Sequence, residues 1–250
     1  MNISPDIKKI SIAFTLGIIS LILLYPIIFI INLSLKNNPL VNYTIVLKNY
    51  DFVIYILNSL IVSLVGAGLA VIVGLLAAYY FYKSKSLFSR ILLTLIILSF
   101  LFPQEAKVIF NFIVIKQLNL IDNLIAVFLP FLANLFTLLL FIQAFRFYSS
   151  DIEDSSELEG FNIWQKMLFI QIPVLRNYIL TAFITNFLNL WNDFLWPLIV
   201  IQSEKKYTVQ IGINYISKSL IFEASYFAAA ITVSIIIPIV IFFMFQKYFK

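Results

Sequence analysis

Asp151-Ile152-Glu153-Asp154-Ser155-Ser156-Glu157-Leu158-Glu159-Gly160 begins the acidic part of a hydrophilic interruption that runs from Arg146 to Arg176 and closes with Ile170-Gln171-Ile172-Pro173. It stands between two apolar runs of membrane length, Ile121–Phe147 and Tyr178–Ile201, so it must lie in water. Ser149, Ser150 and Asp151 are favoured helix N-caps, and acids in a first turn complement the positive end of the helix dipole. A short helix is therefore expected over Asp151–Glu159, and Gly160 supplies the freedom to turn that a Cβ would oppose. A second short helix from about Asn162 to Ile170 should carry Trp164, Met167 and Leu168 on one face before Pro173 starts the next span. Small Ser155 and Ser156 beside five carboxylates within nine residues suit a helix pressed into a partner's basic-rimmed groove. The alternative is an ordinary polar connection between two spans.

The rest of the chain is oily. Of 250 residues, 62% are hydrophobic and only 12% charged, and the mean hydropathy is +1.01, whereas soluble domains carry roughly a quarter charged residues. Six runs reach the roughly 20 apolar residues a spanning helix needs: Ile10–Leu33, Tyr55–Tyr82, Ile91–Ile115, Ile121–Phe147, Tyr178–Ile201 and Tyr226–Tyr248. None alternates as a barrel strand would. The first run is too long for a signal-peptide core and no small-residue cleavage site follows it, so it is expected as a retained helix.

Charge sets the expected orientation. With the N-terminus inside, Lys8, Lys9, Lys83, Lys85, Arg90, Arg146, Lys166, Arg176, Lys247 and Lys250 face the cytoplasm, against Lys36, Lys48, Lys116, Lys205, Lys206 and Lys218 outside. That imbalance favours both termini inside, with the acidic insert on the same side. Lysines anchoring spans against anionic lipid account for the net charge of +5, which gives no reason to expect nucleic-acid binding. The chain has no Cys and no His, so disulfide and thiol chemistry are excluded and the commonest metal ligand and general base are missing. No glycine is followed by lysine as in a phosphate-binding loop, so any ATP must be bound by another chain. No metal and no cofactor is expected.

Polar residues inside the runs are the remaining candidates. Thr185, Asn186, Asn189, Asn192 and Asp193 crowd the fifth run, and helical spacing groups Thr185, Asn189, Asn192 and Trp196 on one stripe. Such a stripe is costly at membrane depth unless it faces protein or water. It is either interhelical hydrogen bonding or the lining of a translocation path, with Trp191 and Trp196 offering faces on which a sugar ring could stack. Pro103-Gln104-Glu105-Ala106-Lys107 interrupts the third run; Glu105 either lines or gates a path, or snorkels or pairs with a partner subunit, and Lys107, two residues on, need not pair with it. Gly66, Gly68, Ala70 and Gly74 offer a small surface for close helix packing.

Four motifs in order carry a family resemblance from about Asn58 to the C-terminus. Asp154-Ser155-Ser156, Gly160 six positions after Asp154, and Ile170-x-Ile172-Pro173 ten positions after the glycine resemble the EAA loop of ABC-importer permeases, with Glu159 at the place of the usual aspartate. Trp191-Asn192-Asp193-Phe194-Leu195-Trp196-Pro197-Leu198, followed by Tyr207-Thr208-Val209-Gln210-Ile211-Gly212, is similar to the signature of the MalG-type permease of carbohydrate importers. Asn58-Ser59-Leu60-Ile61-Val62 with Ala77-Ala78-Tyr79, and Leu118-Asn119-Leu120-Ile121-Asp122-Asn123 ending at Leu129-Pro130, complete the set.

The resemblance implies an all-α membrane protein of the type I ABC importer permease fold, with six transmembrane helices and a cytoplasmic coupling-helix loop. Residues 1–54 would form the N-terminal span and first extracytoplasmic loop, and residues 55–250 the permease core with its coupling loop at 146–176. Asp154, Ser155, Ser156, Glu159, Gly160 and Pro173 would couple to an ATPase. The implied function is passage of a sugar, polyol or glycerol-phosphate-like solute from an extracytoplasmic binding protein across a bacterial-type plasma (inner) membrane, without catalysis by this chain. Two ATPase subunits and a homologous second permease would be its partners. A stand-alone ion-gradient transporter or channel is the competing class; it calls for inverted repeats and a buried ion site, and Glu105 with Asp193 alone does not make one. An intramembrane enzyme would lack the His, Cys and clustered acids such chemistry uses.

Overall fold

The computed structural model describes residues 5–147, 160–219 and 223–246, less the side chains of 5–12, 104 and 105. Every regular element among them is helical, as hydrocarbon requires of a chain that must satisfy its own peptide groups. In chain order these are α1 (Pro5–Ser34), α2 (Pro39–Thr44), α3 (Phe52–Lys83), α4 (Leu87–Ser99), α5 (Gln104–Gln117), α6 (Leu124–Phe128) and α7 (Leu135–Arg146). Then follow α8 (Ile163–Val174), whose middle turns are π-helical, α9 (Arg176–Asn192), α10 (Leu195–Val200), α11 (Val209–Ser217) and α12 (Ala224–Phe245).

Ala13–Ser34 within α1, α3 and α12 are each long and apolar enough to cross a bilayer alone. Two bent helix pairs are together as apolar as a crossing: α6 with its following turn meets α7 at 46°, and α8 meets α9 at 82°. The third expected span is delivered as α4 and α5, separated at Phe100–Pro103, because Pro103 cannot extend a helix and biases the residue before it away from helical backbone. The fourth begins at Leu124 rather than Ile121: Asn123 accepts the Ile125 amide at 2.9 Å and so starts the helix after the Asp122 turn. It breaks at Pro130, and Asn134 restarts it by accepting the Thr137 amide at 3.2 Å.

The chain divides into two compact units, residues Met1–Val53 with Ile213–Ile237, and Ile54–Gly212 with Pro238–Lys250. In the first, buried Asn42 donates to the carbonyls of Ser34 at 2.9 Å and Lys36 at 2.8 Å, closing the end of α1 where Asn37 turns at φ 65°. Tyr50 and Ser219 share a hydroxyl hydrogen bond of 2.9 Å.

The second unit holds two apolar clusters. One gathers Leu75, Tyr79, Phe141, Phe145, Met167 and Leu175, near one end of the spans. The other gathers Val62, Val127, Phe128, Leu190, Trp196 and Ile211, toward the opposite end. Two glycines of α3 let the helices approach: a Cβ on Gly66 would lie 2.6 Å from Leu190 Cδ1 and 2.7 Å from Phe128 Cβ, and one on Gly74 would lie 2.5 Å from Thr137 Cγ2. Gly68 has open space beside it, so only part of the small-residue surface serves this packing.

A polar junction ties three connections at the end of the second cluster. Asn58 donates to the carbonyls of Lys205 at 3.0 Å and Tyr207 at 2.9 Å, and Ser59 accepts the Val209 amide at 2.8 Å. Asp122, itself left-handed at φ 58°, accepts from the amides of Gln202 at 3.0 Å and Ser203 at 2.9 Å, from the Ser203 hydroxyl, and from Lys206 at 2.9 Å. The Ser203 hydroxyl foremost, then the Ser203 amide, Lys206 and the Gln202 amide, hold the Asp122 carboxyl well below the usual carboxylate range.

Gly66→Ala should lower stability by about 1–3 kcal/mol, the usual cost of overpacking, because neither Leu190 nor the Phe128 Cβ can move away freely. Gly68→Ala should be neutral or stabilise by up to about 1 kcal/mol through helix propensity; thermal midpoints in detergent compare the two. A folded carboxyl that titrates below its unfolded counterpart contributes stability that is fully present above the ordinary carboxylate range and is lost as pH falls through the lower folded value. Protection of the Gln202 and Ser203 amides should therefore stay constant from neutral pH down to that range, while Asp122→Ala should speed their exchange several-fold at neutral pH. Hydrogen exchange resolved to residues 200–207 measures both.

Candidate functional site

Helix α9 sorts its polar residues by face. Asn186 is buried, and its amide donates to Thr137 Oγ1 at 2.7 Å and to the Ala182 carbonyl at 2.8 Å. Its carbonyl oxygen accepts from Asn134 at 3.1 Å. That closed set joins α9 to the restart of α7 and matches the interhelical-bonding alternative. Asn189 and Asn192 are exposed and Thr185 is half-buried, so the same helix presents a separate polar edge.

The edge ends where the helix ends. Asp193 is extended at φ −71°, ψ 127°, and α10 starts only at Leu195. Trp196 therefore leaves the stripe on which regular helical spacing would put it. Both tryptophans depart from the expectation of open stacking faces, because their rings are core. Trp191 is 1% exposed and stacks on Phe187 with centroids 5.7 Å apart, and Trp196 is 4% exposed with its Nε1 donating to the Ala126 carbonyl at 2.9 Å. Gln210 Nε2 donates at 3.3 Å to the Trp191 carbonyl, which the helix break has freed. Asp193 Oδ1 lies 3.5 Å from the Trp196 amide; its Oδ2 is buried without a hydrogen-bond partner among the described residues.

Glu105 falls on the first turn of α5, and its side chain lies outside the described residues. Lys107 sits with its ammonium 4.3 Å from the Phe100 ring centroid, across the break in the third span. Among the described residues, no group of three or more His, Cys, Asp or Glu is placed to hold a metal ion.

Of the acidic insert, Asp154, Ser155, Ser156 and Glu159 also lie outside the described residues. Gly160 is described, at φ 74°, where a Cβ would be strained. Asn162 then opens α8 with a capping box: it accepts the Gln165 amide at 2.9 Å, and Gln165 accepts the Asn162 amide at 2.9 Å. The one-face expectation for Trp164, Met167 and Leu168 is corrected. Trp164 and Leu168, four apart, are exposed together, while Met167 is buried with Leu175 and Phe145. Pro173 falls in the last turn of α8 rather than at the start of the next span, which begins at Arg176.

The junction of Asn58, Ser59 and Asp122 was absent from the sequence-derived site. Its residues stood inside quoted motifs, and the available signal was an Asn or Asp beside a turn, where such side chains bond neighbouring backbone.

Residues 70–250 match the model of the family described as binding-protein-dependent transport system inner membrane component. The lactose transport system permease protein LacG of Rhizobium radiobacter is 30% identical, over 77% of this chain and 70% of its own length. The arabinooligosaccharides transport system permease protein AraQ of Bacillus subtilis is 27% identical over 98% of this chain and 95% of its own. The sn-glycerol-3-phosphate transport system permease protein UgpE of Yersinia pestis bv. Antiqua is 24% identical over 79% and 71%. A solved bacterial ABC transporter involved in import of the acidic polysaccharide alginate contains a chain of the same fold, with TM-score 0.88, full coverage of both chains and 23% identity. These matches leave the ion-gradient alternative without support. Transporters of this kind work with an ATPase and a binding protein, and ATP hydrolysis resides on the separate ATPase subunits. The chain belongs to the inner-membrane components of binding-protein-dependent transport systems, as a multi-pass permease subunit of an ABC importer.

Proposed function

We propose that this subunit passes a sugar, polyol or glycerol-phosphate-like solute along the Asn189–Asn192 edge of α9, from an extracytoplasmic binding protein to the cytoplasm. The observation that carries the path is the division of α9: Asn186 has all its partners inside the bundle, whereas Asn189 and Asn192 stay exposed at a helix end beside Asp193. Polar amides open at membrane depth suit a hydrated route for hydroxyl-rich solutes. LacG, AraQ and UgpE, which belong to transport systems for lactose, arabinooligosaccharides and sn-glycerol-3-phosphate, support the class. Trp191 and Trp196 brace the break from behind, and Glu105 belongs to the same route at the interrupted third span.

In this reading both termini are cytoplasmic in the plasma membrane, residues 55–250 form the permease core and a homologous second permease completes the pore. Two ATPase subunits receive the coupling loops, with Asp154, Ser155, Ser156 and Glu159 at the contact and Gly160 and Pro173 shaping it. ATP-driven closure of the ATPase pair shifts the helices between inward- and outward-facing populations, through contacts that differ between the two states.

Cysteine at Asn189 or Asn192 should react with a water-soluble thiol reagent to an extent that differs between nucleotide-free and ATP-trapped complexes, and the chain has no native cysteine to confuse the readout. Asn189→Leu and Asn192→Leu should lower uptake at least several-fold in assembled complexes while the binding protein keeps its own solute affinity. Complete protection in both states would refute the route. Gly160→Val places a β-branched residue at φ 74°, and Ser156→Trp adds bulk at the proposed contact. Each should abolish uptake together with ATPase co-purification or transport-coupled ATPase, while the permease bundle still assembles; normal values of both would return the loop to a plain linker.

A further inference from the structure

Helix α8 is amphipathic in the sense opposite to a soluble helix. Its inward residues include Lys166, 8% exposed, and Gln171, 2% exposed, together with Met167. Its outward residues are mostly apolar: Ile163 at 52%, Trp164 at 62%, Leu168 at 57% and Phe169 at 68% exposure, beside exposed Gln165, whose side chain is engaged in the capping box with Asn162. A soluble partner would be met by a helix whose polar side faces out. Here Lys166 and Gln171 are turned in, and four large apolar side chains are turned away from the protein.

The placement of α8 says what covers that face. It runs without a chain break into α9, at 82° to it, and the two together are as apolar as a membrane crossing. An element at a near right angle to a span, starting from the end of that span, lies along the bilayer surface. Trp164 is an interfacial residue by its chemistry, and exposed Arg176 at the elbow offers a cation at headgroup level.

We infer that α8 is an interfacial anchor, with Ile163, Trp164, Leu168 and Phe169 seated at the boundary of headgroups and acyl chains, so that phospholipid rather than a protein partner covers this face. Helices of this kind bury their apolar side a few ångströms below the headgroups, with binding set by apolar area and attraction to anionic lipid. The anchor fixes the height at which the chain leaves Gly160 toward the acidic insert.

The test uses the complete transporter in vesicles of phosphatidylethanolamine and phosphatidylglycerol, with single spin-labelled cysteines. Leu168→Cys and Phe169→Cys alter exposed positions and leave inward Met167 and Gln171 intact; Lys205→Cys, at an exposed position in the 201–208 connection, is the aqueous reference. Labels at 168 and 169 should collide with oxygen several-fold more, relative to a water-soluble nickel chelate, than the label at 205. Nickel access equal to that of the reference would overturn the inference. So would low access to both reagents in detergent and vesicles alike, which marks a protein-covered face. Aqueous access that emerges only when the ATPase subunits are stripped would assign the face to the ATPase instead. The readout is lipid contact, so failure of the solute-path reading would leave it unchanged.

Discussion

A peptide group in hydrocarbon has no water to bond, and the whole structure is arranged around that constraint. It explains why the described elements are helices and, more usefully, what surrounds each place where a helix stops inside the bundle. Where the fourth span breaks after Pro130, Asn134 caps the restart and reaches Asn186. Where the fifth breaks after Asn192, Gln210 takes up the Trp191 carbonyl. These two interruptions are thus each met by a polar side chain from another segment. The interruptions also serve as the joints between helices.

The proposed path rests on the same logic. A buried amide with every partner in place, as Asn186 has, leaves nothing for a solute to replace. An amide left exposed three or six positions further along the same helix can exchange water for a hydroxyl-rich solute at little cost. Asp193, at the end of that edge, keeps one carboxylate oxygen weakly engaged at 3.5 Å and the other without a partner among the described residues, an arrangement that packing alone does not call for.

Much of the fold was legible because hydrophobic runs report helices directly, and the six expected spans overlap the observed segments. The breaks were less legible. Pro103 announces one, but the interruption at Asp193–Phe194 is set by tertiary bonds from Gln210 and by Trp196 anchoring at Ala126, about which local sequence is silent. Hence helical spacing placed Thr185, Asn189 and Asn192 together and failed at Trp196, beyond the helix end. In α8 the spacing of Trp164 and Leu168 put them on one side, while Met167 fell to the core with Leu175. The roles of Asn58 and Asp122 depended on partners some 80 to 150 positions away, a distance over which a single sequence gives no geometric information.

The elbow between α8 and α9 bears on how a push at the acidic insert could reach the polar edge. At the 82° bend one residue closes one helix and opens the next: the Leu175 amide donates to the Gln171 carbonyl at 2.8 Å, and the Leu175 carbonyl accepts the Ile179 amide at 2.9 Å. Leu175 itself is buried in the cluster with Tyr79, Phe145 and Met167. A packed corner resists opening, so under the proposed coupling a displacement of α8 would reach α9 as rotation of the angle rather than be absorbed at the bend. At the far end of α9 the chain has no such continuity, since Asp193 is extended and α10 restarts two residues later. The stiff corner and the interrupted end lie on the same helix, and the exposed asparagines sit beside the end that can yield.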